Sequence, residues 1–193
     1  MKAAVYRRYG GADVVSCADV PTPVPRDNEV LVRVRAATVG VVDGLARQGA
    51  PFCARAHFGL RRPRFGVLGS DFAGEVAAVG RSVSGFGVGE AVFGTCAPRF
   101  GAHAETAASL PILLQMGWTG VFGGRKAVVT FTGLRPAGEK RRDLMFIREL
   151  AEASALAGVV DADYPLARIG DAYARVDAGH KKGNVVVTMT GAP

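Results

Sequence analysis

The sequence predicts a mainly β fold with some helix: an α+β arrangement of a partly open β-barrel followed by a small helix-and-strand segment of a second domain. Three observations carry that expectation. The chain of 193 residues is punctuated by 26 glycines, which fits many turns joining short elements. Several stretches between those glycines alternate with period two, as half-buried strands do. Helical spacing, by contrast, is concentrated after about residue 143, beyond a change of character near Ala107 to Ser109.

The elements follow in order. Lys2 to Arg7 and Val14 to Val20 read as strands, and Pro21, Pro23 and Pro25 enforce an extended connector. In EVLVRVRAAT, Glu29 to Thr38, Val30, Val32 and Val34 alternate with Leu31, Arg33 and Arg35, a half-buried strand. Val41 to Gln48 is a short helix ended by Gly49, and Arg55 to Arg64 is a basic loop. Phe72 to Val79, Glu90 to Phe93 and Gly101 to Ala107 complete a set of short strands at the spacing of a barrel. Leu110 to Phe122 is an apolar helix candidate containing Trp118, and Lys126 to Thr132 is a strand apolar on both faces at Ala127 to Phe131. Asp143 to Ala157 carries Leu144, Ile147, Leu150, Ala151 and Ser154 at helical spacing and stops at Gly158. Arg168 to Ala178 repeats that pattern with Ile169, Ala172, Tyr173 and Val176 on one face and Gly179 as its cap, and Val185 to Met189 is a last strand.

Composition narrows the classes of function. No run approaches the roughly 18 uninterrupted apolar residues of a membrane span, and the first residues alternate like a strand, so a cytoplasmic protein with no membrane partner is expected. Three cysteines, Cys17, Cys53 and Cys96, stand 36 and 43 residues apart and match neither a disulfide framework nor a zinc pattern. The net charge of +7 is spread along the chain, and its densest cluster, Arg61, Arg62 and Arg64, lacks the interleaved aromatics of a base-stacking surface, so nucleic acid is not an expected partner. An anionic small substrate, or simple solubility, fits the charge equally well.

Longer stretches resemble a known family. MKAAVYRRYGGADVV, VPTPVPRDNEVLVRVRAATVGVVD, RFGVLGSDFAGEVAAVG, VGEAVFG and FGAHAE are similar to the substrate domain of the quinone-oxidoreductase-like branch of the medium-chain dehydrogenase/reductase family. GGRKAVVTFTG and the segment from Asp143 onward are similar to that family's C-terminal end. The resemblance implies a GroES-like barrel domain at 1–107, a remnant of a Rossmann nucleotide-binding domain at 108–157, and a return to the barrel at 158–193. About 150 residues, a domain's worth, are missing between the two matches. The missing piece would carry the Gly-rich turn whose backbone N–H groups and helix N-terminus hold a pyrophosphate. Gly85-Phe86-Gly87-Val88-Gly89 imitates it with the wrong spacing and context, and Gly123-Gly124 precedes a strand. No cofactor is therefore expected.

No metal is expected either. Zinc-dependent relatives place a Cys where Gly40 stands and a His-Glu pair where Ser70-Asp71 stands, leaving Asp71 as a single carboxylate. What remains is general acid–base chemistry on an enone, quinone or polyketide-like carbonyl compound: isomerisation, cyclisation by conjugate addition, or elimination. His103, Asp43 and Asp71 are the candidate catalytic residues, and Gly40, Ser70, His57 and Trp118 the candidate substrate contacts. Each also has a structural reading: Asp43 as a helix-start residue, Asp71 as a loop carboxylate, His103 as a satisfied strand histidine, His57 as a surface residue. An NADPH-dependent quinone or enone reductase and a non-catalytic binding or assembly protein stay open. Pairing of the 126–132 strand with its copy in a homodimer would relieve its exposed backbone and apolar side chains.

Overall fold

The computed structural model describes residues 1–96, 100–109 and 137–189 and divides into two compact units, 1–109 with 159–193 and 110–158. In the first unit, β1 (Lys2–Tyr6) and β2 (Val15–Asp19) form an antiparallel pair, with Lys2 opposite Asp19 and Tyr6 opposite Val15. The main sheet is built from β3 (Val30–Val39), β4 (Asp71–Val79), β5 (Ala91–Thr95), β6 (Thr106–Ser109), β7 (Val160–Pro165) and β8 (Asn184–Thr188). Its order is β5-β4-β3-β8-β7, with β6 also paired to β3. The ten-residue β3 is the spine: its Val30 end lies between β4 and β6, and its Val39 end pairs with β8. Isolated bridges from Ala3 to Ala104 and from Val5 to Val67 tie the small sheet to the segments leading into β6 and β4, giving the partly open barrel of an α+β fold.

The period-two pattern of β3 places Val30, Val32 and Val34 in the core and leaves Arg33 and Arg35 outside, and a register shift between Val34 and Ala36 changes the phase so that Ala37 and Val39 are buried beyond it. Beyond β3, α1 (Val41–Gln48) ends at Gly49, whose φ of 66° is the left-handed cap that glycine adopts without penalty. The basic loop contains a single helical turn, α2 (Arg55–Phe58). α4 (Ile169–Asp177) buries Ile169, Ala172, Tyr173 and Val176, the stripe expected from its spacing, and this face joins the core of Val32, Val39, Ala46, Leu68, Val185 and Val187.

Three elements differ from the sequence reading. β7 was not expected, although VDADYP alternates Val160, Ala162 and Tyr164 with Asp161 and Asp163; the alternation is short and includes only a small Ala at its centre, and the strand sits at the sheet edge beside β8, where it buries little. In the second unit, α3 (Ala137–Glu152) begins six residues before Asp143 and stops short of Ala157. Pairing in the Gly101 to Ala107 stretch begins in earnest only at β6, with Ala104 making an isolated bridge. The Leu110 to Phe122 helix, Trp118 and the 126–132 strand fall outside the described residues.

Candidate functional site

At its Val39 end β3 turns through Gly40 directly into α1, and Asp43 occupies the third position of that helix. Its carboxylate accepts the Gly40 N–H at 2.8 Å, so one unsatisfied donor of the helix start is taken by the helix's own side chain. Asp43 is fully buried, and its Oδ1 has no hydrogen-bond partner. Burial pushes its carboxyl above the ordinary 3.8, with the negative charge of Asp71 acting in the same direction; His103, the Gly40 N–H and the Ser70 hydroxyl pull the other way. Ser70 is half-buried and Asp71, the first residue of β4, is exposed. Beside them the buried Cys96 thiol is pushed up to about 12 by desolvation and by the Asp71 charge, and its N–H bonds the Ser70 carbonyl at 2.6 Å.

His103 lies fully buried under this floor. Its Nε2 donates to the Thr38 carbonyl at 2.9 Å, because a carbonyl oxygen can only accept. Nδ1 lies 3.2 Å from the Tyr173 hydroxyl, within hydrogen-bond distance. Both ring nitrogens are engaged by the protein itself. The ring also packs against Gly69, where φ is 96° and any Cβ would come within 2.5 Å of His103 Cδ2, so glycine is required there.

The polar cluster continues inward. Tyr173 is buried, and desolvation holds its phenol well above the ordinary 10, reinforced by the Asp43 charge. The guanidinium of the fully buried Arg47 lies 5.1 Å from the centre of the Tyr173 ring. It donates to the Gly10 carbonyl at 2.9 Å and to both oxygens of Asp177 at 2.8 and 2.6 Å. Arg47 and Asp177 thus join α1 to α4, across 130 positions of sequence.

Of the residues singled out by sequence, Gly40, Asp43, Ser70, Asp71 and His103 come together at one end of the sheet. His57 belongs to another cluster, edge-on to Phe58 at 5.1 Å and tilted against Phe65 at 5.6 Å. Arg47, Tyr173, Asp177 and Cys96 were not singled out as site residues. A signal for Arg47 was available: it sits four positions after Asp43, on the same face of α1 as that buried carboxyl. Among the described residues no group of three His, Cys, Asp or Glu side chains stands together as a metal site.

Residues 26–133, more than half of the chain, match the family described as the alcohol dehydrogenase GroES-like domain. The chain belongs to that family. Within it the protein is quinone-oxidoreductase-like: quinone oxidoreductase of Lama guanicoe is 36% identical over 109 residues, 55% of this chain and 30% of that protein. A chloroplastic NADPH-dependent alkenal/one oxidoreductase of Arabidopsis thaliana is 34% identical over 124 residues, 60% of this chain and 31% of that protein. The match thus spans about 30% of the length of these GroES-like relatives. Among solved structures, the quinone oxidoreductase from Coxiella burnetii shares the fold with a TM-score of 0.75 at 16% identity, covering 98% of this chain and 99% of that one.

A nicotinamide cofactor can be tested against the described residues of this GroES-like chain. At the β3–α1 turn the Gly40 N–H is already bound to the Asp43 side chain, so it is not free to hold a phosphate at the helix start. Gly85, Gly87 and Gly89 lie between two strands, β4 and β5, and not between a strand and a helix N-terminus as a pyrophosphate cradle does. These residues do not fit a pyrophosphate.

Proposed function

We propose that this oxidoreductase-like protein performs proton transfer on an activated carbonyl compound, an enone, quinone or polyketide-like substrate, at the floor formed by Gly40, Asp43, Ser70 and Asp71. The observation that carries the reading is Asp43: a buried carboxyl with a raised pKa and one oxygen without a partner, behind a half-buried serine and an exposed carboxylate. A carboxyl that keeps its proton to higher pH than usual suits a general acid, and a solvated carboxylate beside it suits a base. Asp71 removes a proton from the carbon next to the carbonyl, while the Ser70 hydroxyl passes a proton to the carbonyl oxygen and is resupplied by Asp43. Asp71 returns its proton to a different carbon while the enol oxygen gives its proton back through Ser70 to Asp43, so the isomer forms with no net oxidation and both groups are restored. His103 and Tyr173 hold the floor in place. The names of the relatives, for quinones and for alkenals and alkenones, support the carbonyl class of substrate.

A second reading, hydride transfer from NADPH, is favoured by the name of the Arabidopsis relative. Incubating the chain with enones and quinones, with and without NADPH, separates the two. Cofactor-free conversion that falls at least about 100-fold in Asp43→Asn and Asp71→Asn supports proton transfer. Stoichiometric NADPH oxidation, with saturable NADPH binding by calorimetry, overturns it and establishes the second reading; no conversion under either condition points to a binding or assembly role. We also propose residues 108–157 as the Rossmann remnant and a homodimer through the 126–132 strand, tested by analytical ultracentrifugation of the chain against Val128→Lys. A wild-type monomer would defeat the dimer.

A further inference from the structure

From the basic loop we infer a second surface, independent of the reaction: residues 52–64 dock the protein onto an anionic lipid bilayer without crossing it. Between Asp43 and Asp71 the sequence holds no acidic residue, yet it holds Arg47, Arg55, Arg61, Arg62 and Arg64. Arg47 and Arg55 are used internally, the latter donating to the Gly49 carbonyl at 3.0 Å. Arg61, Arg62 and Arg64 are exposed, and none pairs with a carboxylate among the described residues.

Large apolar side chains stand in water beside these charges: Phe52 is 74% and Leu60 66% exposed. Flexible collapse is not what leaves them there, because the loop is tied down on both sides. The Arg55 guanidinium stacks on Phe52 at 5.4 Å and on Tyr9 at 4.5 Å, and the Tyr9 hydroxyl donates to the Gly59 carbonyl at 2.5 Å, next to Leu60. Beneath, the rings of Phe58 and Phe65 pack on Phe100 at 5.5 and 6.3 Å, so the inner side of the loop is already satisfied. The outer side combines unpaired positive charge with apolar tips on a fixed base. A lipid headgroup layer supplies what it lacks, phosphate for the arginines and an apolar boundary for Phe52 and Leu60. A soluble acidic partner would meet the charge but leave the apolar tips unexplained.

The test is co-sedimentation of the whole chain with phosphatidylglycerol/phosphatidylcholine vesicles and with phosphatidylcholine alone, at about 0.1 M salt. The expected result is binding to the anionic vesicles only. Reversal in Arg61→Glu/Arg62→Glu/Arg64→Glu should weaken it about 100-fold, and Phe52→Ser/Leu60→Ser at least about tenfold. An equal charge change elsewhere, Arg7→Glu/Arg81→Glu/Lys182→Glu, should weaken it far less. Circular dichroism confirms that each variant is folded. The inference is overturned if anionic vesicles do not bind, if the two charge reversals act alike, if the Phe52/Leu60 variant binds as wild type, or if only RNA or polyglutamate is bound.

Discussion

Replacing Asp177 by alanine tests the joint between α1 and α4. The Arg47 guanidinium is fully buried and stands 2.6 Å from the Asp177 carboxylate, whose side chain is 31% exposed. Breaking a buried pair by removing one partner costs about 3–5 kcal/mol, because the remaining charge is left uncompensated. Water reaches Asp177 from one side, which weakens the pair and places the expected loss near about 2–3 kcal/mol. For a chain of this size that is a fall in Tm of roughly 5–10 °C. Urea unfolding at pH 7, followed by far-UV circular dichroism, reads the loss directly. The double variant Arg47→Met/Asp177→Ala should be more stable than Asp177→Ala alone, since no buried charge is stranded, with a coupling energy above about 1.5 kcal/mol. A loss under about 1 kcal/mol, or strictly additive single changes, would refute the view that this pair fastens the two helices.

Gly69→Ala should cost about 2–4 kcal/mol, from its positive φ and the collision with His103, whereas Gly87→Ala, which meets open space, should stay within about 0.5 kcal/mol; equal effects in denaturant melts would count against the account of Gly69. The raised Asp43 pKa means the folded state holds that proton more tightly than the unfolded chain, so its contribution to stability is present below about pH 4 and is lost as pH rises through the folded value. Asp43→Asn should remove this part of the slope, and unfolding curves from pH 4 upward that are unchanged in the variant would contradict the shift. With a thiol-exchange reagent at pH 8, exposed Cys53 should react at once, and Cys96, buried with its pKa pushed up to about 12, only after denaturation. Native labelling of both at one rate would show that Cys96 is open to solvent.

Legibility in the sequence followed physical signal. The strands with one buried face were readable because alternation reports burial, as Val30, Val32 and Val34 do in β3. α1 and α4 were readable from Gly49 and from the Ile169, Ala172, Tyr173, Val176 stripe. β7 carried only a short alternation, Val160, Ala162 and Tyr164 against two aspartates, a weak mark because an edge strand buries little of its apolar face. At the candidate site, Gly40, Asp43, Ser70 and Asp71 were visible as short-range text, and they lie together at one end of the sheet. The role of Tyr173 was hidden, because its ring satisfied the core pattern while its hydroxyl's partner, His103, lies 70 residues earlier. Arg47 was passed over because its carboxylate partner is still farther away, on α4.

The pairing of β3 with β8 has a consequence for biosynthesis. Strand β3 exposes its Val39 edge until Val185 to Thr188 arrive, and Arg47 has no counter-ion until Asp177 does. A ribosome must therefore release the chain through β8 before the first hundred residues can close around their centre. During that interval the nascent chain presents an open strand and a stranded cation, the kind of surface that chaperones hold. Any stop codon upstream of α4 would yield a product lacking the fastening for α1, and proteolysis would be its expected fate.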